Sequence, residues 1–304
     1  MSIIPFRISP MLATLADEPF TRPDWIFEEK YDGVRMWAYK EGKHVTLISR
    51  NGIDRTARYP TIANAVKALK ASTLALDGEI IASDTKKVSR FQFLQQGKGN
   101  LQFALFDIVF AKGKDLRRKP LSARREVLEQ LIEPSALLIL SARLAADGIK
   151  AFKIASKKGL EGIIAKSVSS LYVEGRSREW LKVKIHKEDE FVIGGFTKPG
   201  GTRSYFGALL IGAHSGGNLR YMGKVGTGFD EKTLQSLHRV FKSLTQAKSP
   251  FSTNVREPGA TFLSPKLIAQ ISYTEQTSDG KLRHPVYLGL RDDKSPEEVI
   301  WREA

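Results

Sequence analysis

The chain has 304 residues and carries 48 lysines and arginines against 33 aspartates and glutamates, a net charge of +15 that favours a polyanionic partner: DNA, RNA or nucleotides. Its 41% hydrophobic content suffices for two modest domains, each with its own core. The absence of cysteine excludes disulfides, thiolate metal sites and cysteine nucleophiles, and the five scattered histidines lack metal-ligand spacing, so any metal is a hard cation, Mg²⁺ or Mn²⁺, held by carboxylate and phosphate oxygens.

Residues 1–27 read as an extended lead-in that contains Pro10-Met11-Leu12-Ala13 and closes on Trp25-Ile26-Phe27. The run Glu28-Glu29-Lys30-Tyr31-Asp32-Gly33-Val34-Arg35 follows. With residues 25–29 entering as a strand and Asp32-Gly33 turning the chain, Lys30 projects from a strand end, where a pocket can enclose it. A lysine amine attacks a phosphorus or carbonyl centre only when deprotonated. Burial, or cations such as Arg35 and a divalent metal, lower its pKa, and Asp32 can orient it. Alone, Lys-x-Asp-Gly is a weak signal, because a surface lysine beside an ordinary turn is spelled the same way.

Residues 34–39 and 45–49 form a hairpin around Glu41-Gly42-Lys43, and Ser49-Arg50-Asn51-Gly52 is a turn with an exposed arginine. A helix over 59–69 precedes a strand over 74–81 that carries Asp77-Gly78-Glu79. Two carboxylates in an otherwise apolar strand are costly to bury without a cationic partner, which favours a ligand or metal role. Residues 101–110 form an apolar strand, with Phe103 in the core and Phe106 placed as an aromatic face for a base. Residues 112–125 hold seven Lys/Arg against one Asp, either a phosphate-contacting patch or the solvated face of a helix. Asp147 caps a helix ended by Gly159, and 161–166 is another carboxylate-bearing strand. In Trp180-Leu181-Lys182-Val183-Lys184-Ile185 the alternation sets Lys182 and Lys184 on one strand face, where a phosphate would relieve their repulsion.

His186-Lys187-Glu188-Asp189-Glu190 breaks the apolar pattern and divides the chain into domains 1–187 and 188–304. Beyond it lie short strands over 191–196, 205–213, 219–225 and 267–273, and a helix over 230–244 with Leu234, Leu237, Val240, Phe241 and Leu244 on one face. Short strands with one helix suggest a small barrel of the OB type. Residues 217–224 are not a P-loop, since the spacing is wrong and Val225 replaces the Ser/Thr. No stretch approaches the ~18 apolar residues of a membrane span and the start lacks a signal pattern, so a cytoplasmic protein with no membrane association is expected.

Taken in order, the Lys30 run, Asp77-Gly78-Glu79, Phe106-Asp107, Glu161-Gly162, Lys182/Lys184, Arg283-x-Pro285 and Arg291-x-x-Lys294 resemble the covalent nucleotidyltransferases, specifically the ATP-dependent DNA ligases. Likeness is greatest to the ligase domain of bacterial ligase D and its stand-alone relatives, with Pro10-Met11-Leu12-Ala13 and Gly226-Thr227-Gly228-Phe229 adding to it. The resemblance implies an α+β nucleotidyltransferase (adenylation) domain of antiparallel sheets with flanking helices, followed by a β-barrel OB-fold domain.

It also implies roles. Lys30 is the nucleophile that carries AMP, with Asp32 beside it; Glu28 contacts the adenine amine and Phe106 stacks on the ring. Arg35 and Glu79 bind the ribose and its surroundings, Arg50 binds the 5′-phosphate of the nick, and Glu161 with Glu79 holds the metal. Lys182 and Lys184 grip the α-phosphate, and Arg283, Arg291 and Lys294 orient the leaving pyrophosphate. The expected cofactors are ATP and Mg²⁺ or Mn²⁺, and the expected substrate is nicked or broken duplex DNA. A bacterial, nucleoid-associated monomer that works with the end-binding protein Ku in end-joining repair is implied as well.

Only 29 residues precede Lys30, which leaves no room for a large helical DNA-binding domain before it, so a minimal ligase, stand-alone or part of a larger one, is expected. A hinge over 186–190 would let the barrel swing between reaction steps. An RNA ligase, a GTP-using capping enzyme and a non-catalytic OB-type nucleic-acid binder are the alternatives. The last leaves the Lys30 constellation unexplained.

Overall fold

A computed structural model describes residues 4–185, 187–201, 204–277 and 280–301. It divides into two compact units, Met1–Ile185 and His186–Ala304.

The first unit contains two sheets. One is five-stranded, in the order Met11–Leu15, Gly175–Lys184, Gly162–Ser167, Trp25–Glu29, Arg143–Ala145, antiparallel except for its first pair. The other runs His44–Ser49, Val34–Glu41, Thr73–Ser83, Asn100–Ala111, Lys114–Asp115, with Leu138–Leu140 added parallel to Asn100–Ala111. Met11, Ile26 and Trp180 of the first sheet meet Trp37, Ala75 and Phe110 of the second in one buried cluster, so the sheets face each other. Helix Gly148–Lys158 covers the outer face of the first sheet, where Ala151 and Ala155 pack with Phe27, Ile163 and Val183. Helices Pro60–Ala68, Phe91–Gln96 and Leu121–Leu131 cover the second.

Local chemistry sets these elements. Pro60 opens its helix at a position whose N–H would have no partner. Asp147 caps the Gly148–Lys158 helix by accepting from the Lys150 N–H at 2.6 Å, and Gly159 ends it in the left-handed conformation at φ 71°. The expected lead-in is in part a true strand, Met11–Leu15, held by the neighbouring Gly175–Lys184 strand, a tertiary partner that local pattern does not reveal.

In the second unit six strands form one sheet in the order Asn218–Val225, Leu209–Ser215, Lys187–Thr197, Ala260–Tyr273, Thr245–Gln246, with Val286–Arg291 also on Ala260–Tyr273. The bridge Thr227↔Val286 draws the two ends of this OB-type sheet together. Helix Glu231–Phe241 lays Leu234, Leu237 and Phe241 on the core, whereas Val240, expected on that face, is 40% exposed. The expected hinge is not a free segment. Lys187 to Glu190 are in register with Tyr273 to Gln270, and the remaining hinge residue, His186, lies outside the described residues.

Candidate active site

Lys30 follows the Trp25–Glu29 strand, and its N–H donates to the Gly162 carbonyl at 3.0 Å. Register then sets the row opposite each residue of that strand. Ile26 faces Lys166 and Trp180, Glu28 faces Ile164 and Lys182, and Gly162 faces Lys184. Directly opposed residues share a sheet face, so Glu28, Ile164, Lys166, Trp180 and Lys182 lie on the side that meets the second sheet. A Cβ on Gly162 would come 2.2 Å from the Val183 carbonyl oxygen, which is why glycine follows Glu161. The glycine of the Lys30 run also has a packing cause. Its φ is not left-handed, but a Cβ there would come 2.3 Å from the Ile80 carbonyl oxygen.

Between the sheets lies a cavity of about 150 Å³ lined by Glu28, Glu29, Lys30, Tyr31, Arg35 and Glu79 together with Phe106, Ser141, Ile164, Lys166 and Trp180. A larger open depression of about 610 Å³ lies beside the exposed Lys43, His44 and Asp54. Convergent buried charge makes the smaller cavity the candidate site.

Lys30 Nζ contacts Glu161 Oε1 directly. Burial disfavours the ammonium, but Glu161, with Asp32 and Glu79, outweighs that penalty and holds the Lys30 pKa above the ordinary lysine value. This is the reverse of the lowered pKa expected from the sequence, because the nearest partner of Lys30 is an anion rather than a cation. Asp32 accepts from the Phe91 N–H at 3.0 Å, which anchors the Phe91–Gln96 helix to the lysine turn.

Asp77 is not available to a ligand. It is fully buried and accepts from Arg35 Nε at 2.9 Å, Arg35 Nη2 at 2.6 Å and the Tyr172 hydroxyl at 2.7 Å. The cation that its burial called for is internal, which corrects the ligand or metal role expected of it; Glu79, two residues on, does line the cavity. Arg35 and Lys166 both lie over Phe106, at 5.0 and 4.5 Å from its ring centre, and over Trp180, at 5.8 and 4.3 Å. Lys166 Nζ is 2.7 Å from Glu28 Oε2.

Lys166, Trp180 and Ser141 line the cavity, and Tyr172 supports Asp77 behind it, yet none of the four is among the candidates drawn from the sequence. Lys166 shares a strand face with Ile164, and that alternation was the one signal available for it; Tyr172 and Ser141 come from loops with no local signature. The expected basic patch is partly internal: Arg124 pairs with Asp107 at full burial, Arg125 is buried, and Arg117 pairs with Asp115 and Glu174.

Lys182 and Lys184 lie in the strand beside Glu161-Gly162, outside the cavity lining, and Arg50 lies partly exposed in the turn after His44–Ser49. In the second unit Arg291 forks onto Asp293 at 2.8 and 2.8 Å, Lys294 pairs with Glu190, and Arg283 pairs with Glu275 at 2.6 Å. Among the described residues no three acidic or histidine side chains converge on one point. Glu161 and Glu79 nevertheless suit a hard cation that keeps its waters and takes one or two carboxylates with substrate phosphates.

A lysine at a cavity between two facing sheets, in a unit followed along the chain by an OB-type unit, is the arrangement of the nucleotidyltransferase fold. The chain belongs to the family of ATP-dependent DNA ligases: residues 10–184 match the ATP dependent DNA ligase domain and 202–294 the ATP dependent DNA ligase C terminal region. It is 38% identical over 97% of its length to the multifunctional non-homologous end joining protein LigD of Pseudomonas aeruginosa, and 37% identical over 98% to that of Mycolicibacterium smegmatis. It spans 37% and 40% of those two relatives. Its fold matches a mycobacterial DNA ligase D complexed with ATP and MES, with a TM-score of 0.73, 33% identity and coverage of 97% of this chain and 98% of that one.

Proposed function

We propose that this chain is an ATP-dependent DNA ligase that seals breaks in duplex DNA in three steps. Lys30 Nζ attacks the α-phosphorus of ATP, the bond to pyrophosphate breaks, and a lysyl-AMP phosphoramidate forms. The AMP passes to the 5′-phosphate at a break, which frees Lys30. The neighbouring 3′-hydroxyl then attacks that phosphate and releases AMP. The observation that carries this reading is the position of Lys30, enclosed at a cavity whose lining also holds Glu28, Phe106, Arg35 and Glu79.

The lining residues divide the nucleotide between them. Glu28 accepts the adenine amine, Phe106 and Ile164 flank the ring, and Arg35, fixed by Asp77, and Glu79 meet the ribose. Lys182 and Lys184 offset α-phosphate charge, supported by the register that sets them opposite Ile164 and Gly162. Glu161, with Glu79, holds Mg²⁺ or Mn²⁺, which when bound neutralises phosphate charge. Glu161 also pairs with Lys30 Nζ, so the proposed nucleophile and the proposed metal ligand are in direct contact. Arg50 takes the 5′-phosphate of the break, and Arg283, Arg291 and Lys294 orient pyrophosphate. The end-joining relatives support a role in break repair; recruitment by Ku and action as a monomer belong to the proposal alone.

Labelled ATP with Mg²⁺, followed by denaturing electrophoresis and a chase with nicked duplex, tests the reading. A labelled protein band that is lost as the nick closes is expected. Labelling by GTP alone, or sealing of RNA nicks in preference to DNA, would replace it.

A further inference from the structure

Arg125 sits in the helix Leu121–Leu131 and is only 3% exposed. Its Nη1 donates to the Phe106 carbonyl at 3.3 Å and its Nη2 to the Ser141 carbonyl at 2.9 Å, while Nη1 lies 3.4 Å from Glu28 Oε1. Glu129, one turn along the helix, approaches Nη2 at 3.4 Å from the outside. Phe106, Ser141 and Glu28 all line the cavity, whereas Arg125 does not; it grips three wall residues from behind. Its neighbour Arg124 clasps Asp107 at 2.8 and 2.8 Å. Two consecutive arginines thus hold two consecutive residues of the Asn100–Ala111 strand.

We infer that Arg125 is a positioning residue for base selection: it fixes Glu28 and Phe106 so that the cavity accepts adenine in preference to guanine. This rests on the reading of Glu28 and Phe106 as the adenine contacts. Glu28 Oε2 is already engaged by Lys166 at 2.7 Å and by the Ser141 hydroxyl at 3.2 Å. Oε1 is closed off from solvent, accepts no hydrogen bond among the described residues and has Arg125 Nη1 beside it at 3.4 Å, so Arg125 on one oxygen and Lys166 with Ser141 on the other set the plane of the carboxylate. A carboxylate oxygen only accepts. Adenine presents an amine at its 6-position and guanine an oxygen, so the Glu28 carboxylate pairs with the first and opposes the second. That discrimination holds only while the carboxylate is held in one orientation. A planar guanidinium fork bonded to Phe106 and Ser141 keeps a cation beside Oε1 in fixed geometry, which an ammonium on a flexible stem does not.

The test is single-turnover labelling of Lys30 with ATP and with GTP in the full chain, for the native protein and for Arg125→Lys, Arg125→Gln and Glu28→Gln. The ATP-to-GTP ratio of kcat/KM should fall about tenfold or more in both Arg125 variants, chiefly through a higher KM for ATP, and at least as far in Glu28→Gln. A merely structural arginine lowers both nucleotides equally. If the ratio stands unchanged in the Arg125 variants while it falls in Glu28→Gln, the inference is overturned and the adenine reading survives. If Glu28→Gln also leaves the ratio unchanged, the adenine reading has failed and the inference falls with it. Should neither Arg125 variant fold, nitrogen-15 spectra of the native protein decide: the Arg125 guanidinium signal should shift on formation of lysyl-AMP, and an unmoved signal overturns the inference.

Discussion

Lys30 and Glu161 are in direct contact, Nζ against Oε1, although 131 positions separate them in the chain. The pairing is a consequence of register. Lys30 and Glu161 sit at adjoining ends of two antiparallel strands, and the Lys30 N–H is bonded to the carbonyl of Gly162. The Lys30 amine, the proposed nucleophile, is therefore paired with a carboxylate that favours its ammonium form.

Removing that carboxylate has a signed effect on pH dependence. Burial alone favours the free amine of Lys30, and Glu161 reverses the balance and raises the pKa. Adenylation needs the free amine, so its rate should climb with pH in the native protein. In Glu161→Gln the climb should move to lower pH, even if the maximal rate falls through a weaker hold on the metal. Single-turnover labelling between about pH 6 and about pH 10 brackets the lysine range. An unmoved limb would mean that Glu161 does not hold the Lys30 proton.

Tyr172 ties the first sheet to the second. Its hydroxyl donates to Asp77 at 2.7 Å and accepts from the Met11 N–H at 2.9 Å. Tyr172→Phe leaves Asp77 with Arg35 alone and Met11 without that acceptor. A loss of about 1–3 kcal/mol is expected in urea unfolding, with a higher KM for ATP as Arg35 loosens. Native stability together with native KM would contradict the role assigned to this hydroxyl.

The positions of the strands around Lys30 are legible because apolar alternation marks them, and Asp147 and Gly159 mark the ends of one helix. What the sequence hid was pairing. Asp77 looked like a ligand because its partners, Arg35 and Tyr172, lie 42 and 95 positions away. Arg124 and Arg125 looked like surface charge because the helix that carries them turns that side inward, onto Asp107 and Phe106. Burial of a charged group is set by such long-range partners, and composition cannot reveal them.

Glu29 gives a second pH prediction. Burial raises its carboxyl to about 7, with Lys158 pulling the other way. The folded state then binds a proton that the unfolded chain has already released above about 4.5. Stability from this group is present at low pH and is lost as pH rises from about 4.5 through about 7. Glu29→Gln removes the titration, so its stability relative to the native protein should grow by about 1–3 kcal/mol across that window. Urea midpoints at several pH values measure it, and a constant difference would contradict the burial argument.

The second unit's cations divide by surroundings. Arg291 is 9% exposed and bound to Asp293, so Arg291→Ala should cost stability as well as activity. Lys294, paired with Glu190, is the cleaner probe. Lys294→Ala should slow adenylation by about ten- to a hundredfold, the loss expected of one charge-assisted phosphate contact. Sealing of a pre-adenylated nick releases no pyrophosphate and should change far less. Equal loss in both reactions would point to folding or DNA clamping instead.

The most direct test is the chemical identity of the adduct. After incubation with ATP and Mg²⁺, proteolysis and mass spectrometry should find one AMP, joined through phosphorus to Lys30 Nζ, and Lys30→Ala should carry none. An adduct on any other residue, or an adenylated Lys30→Ala protein, would contradict the account at its centre.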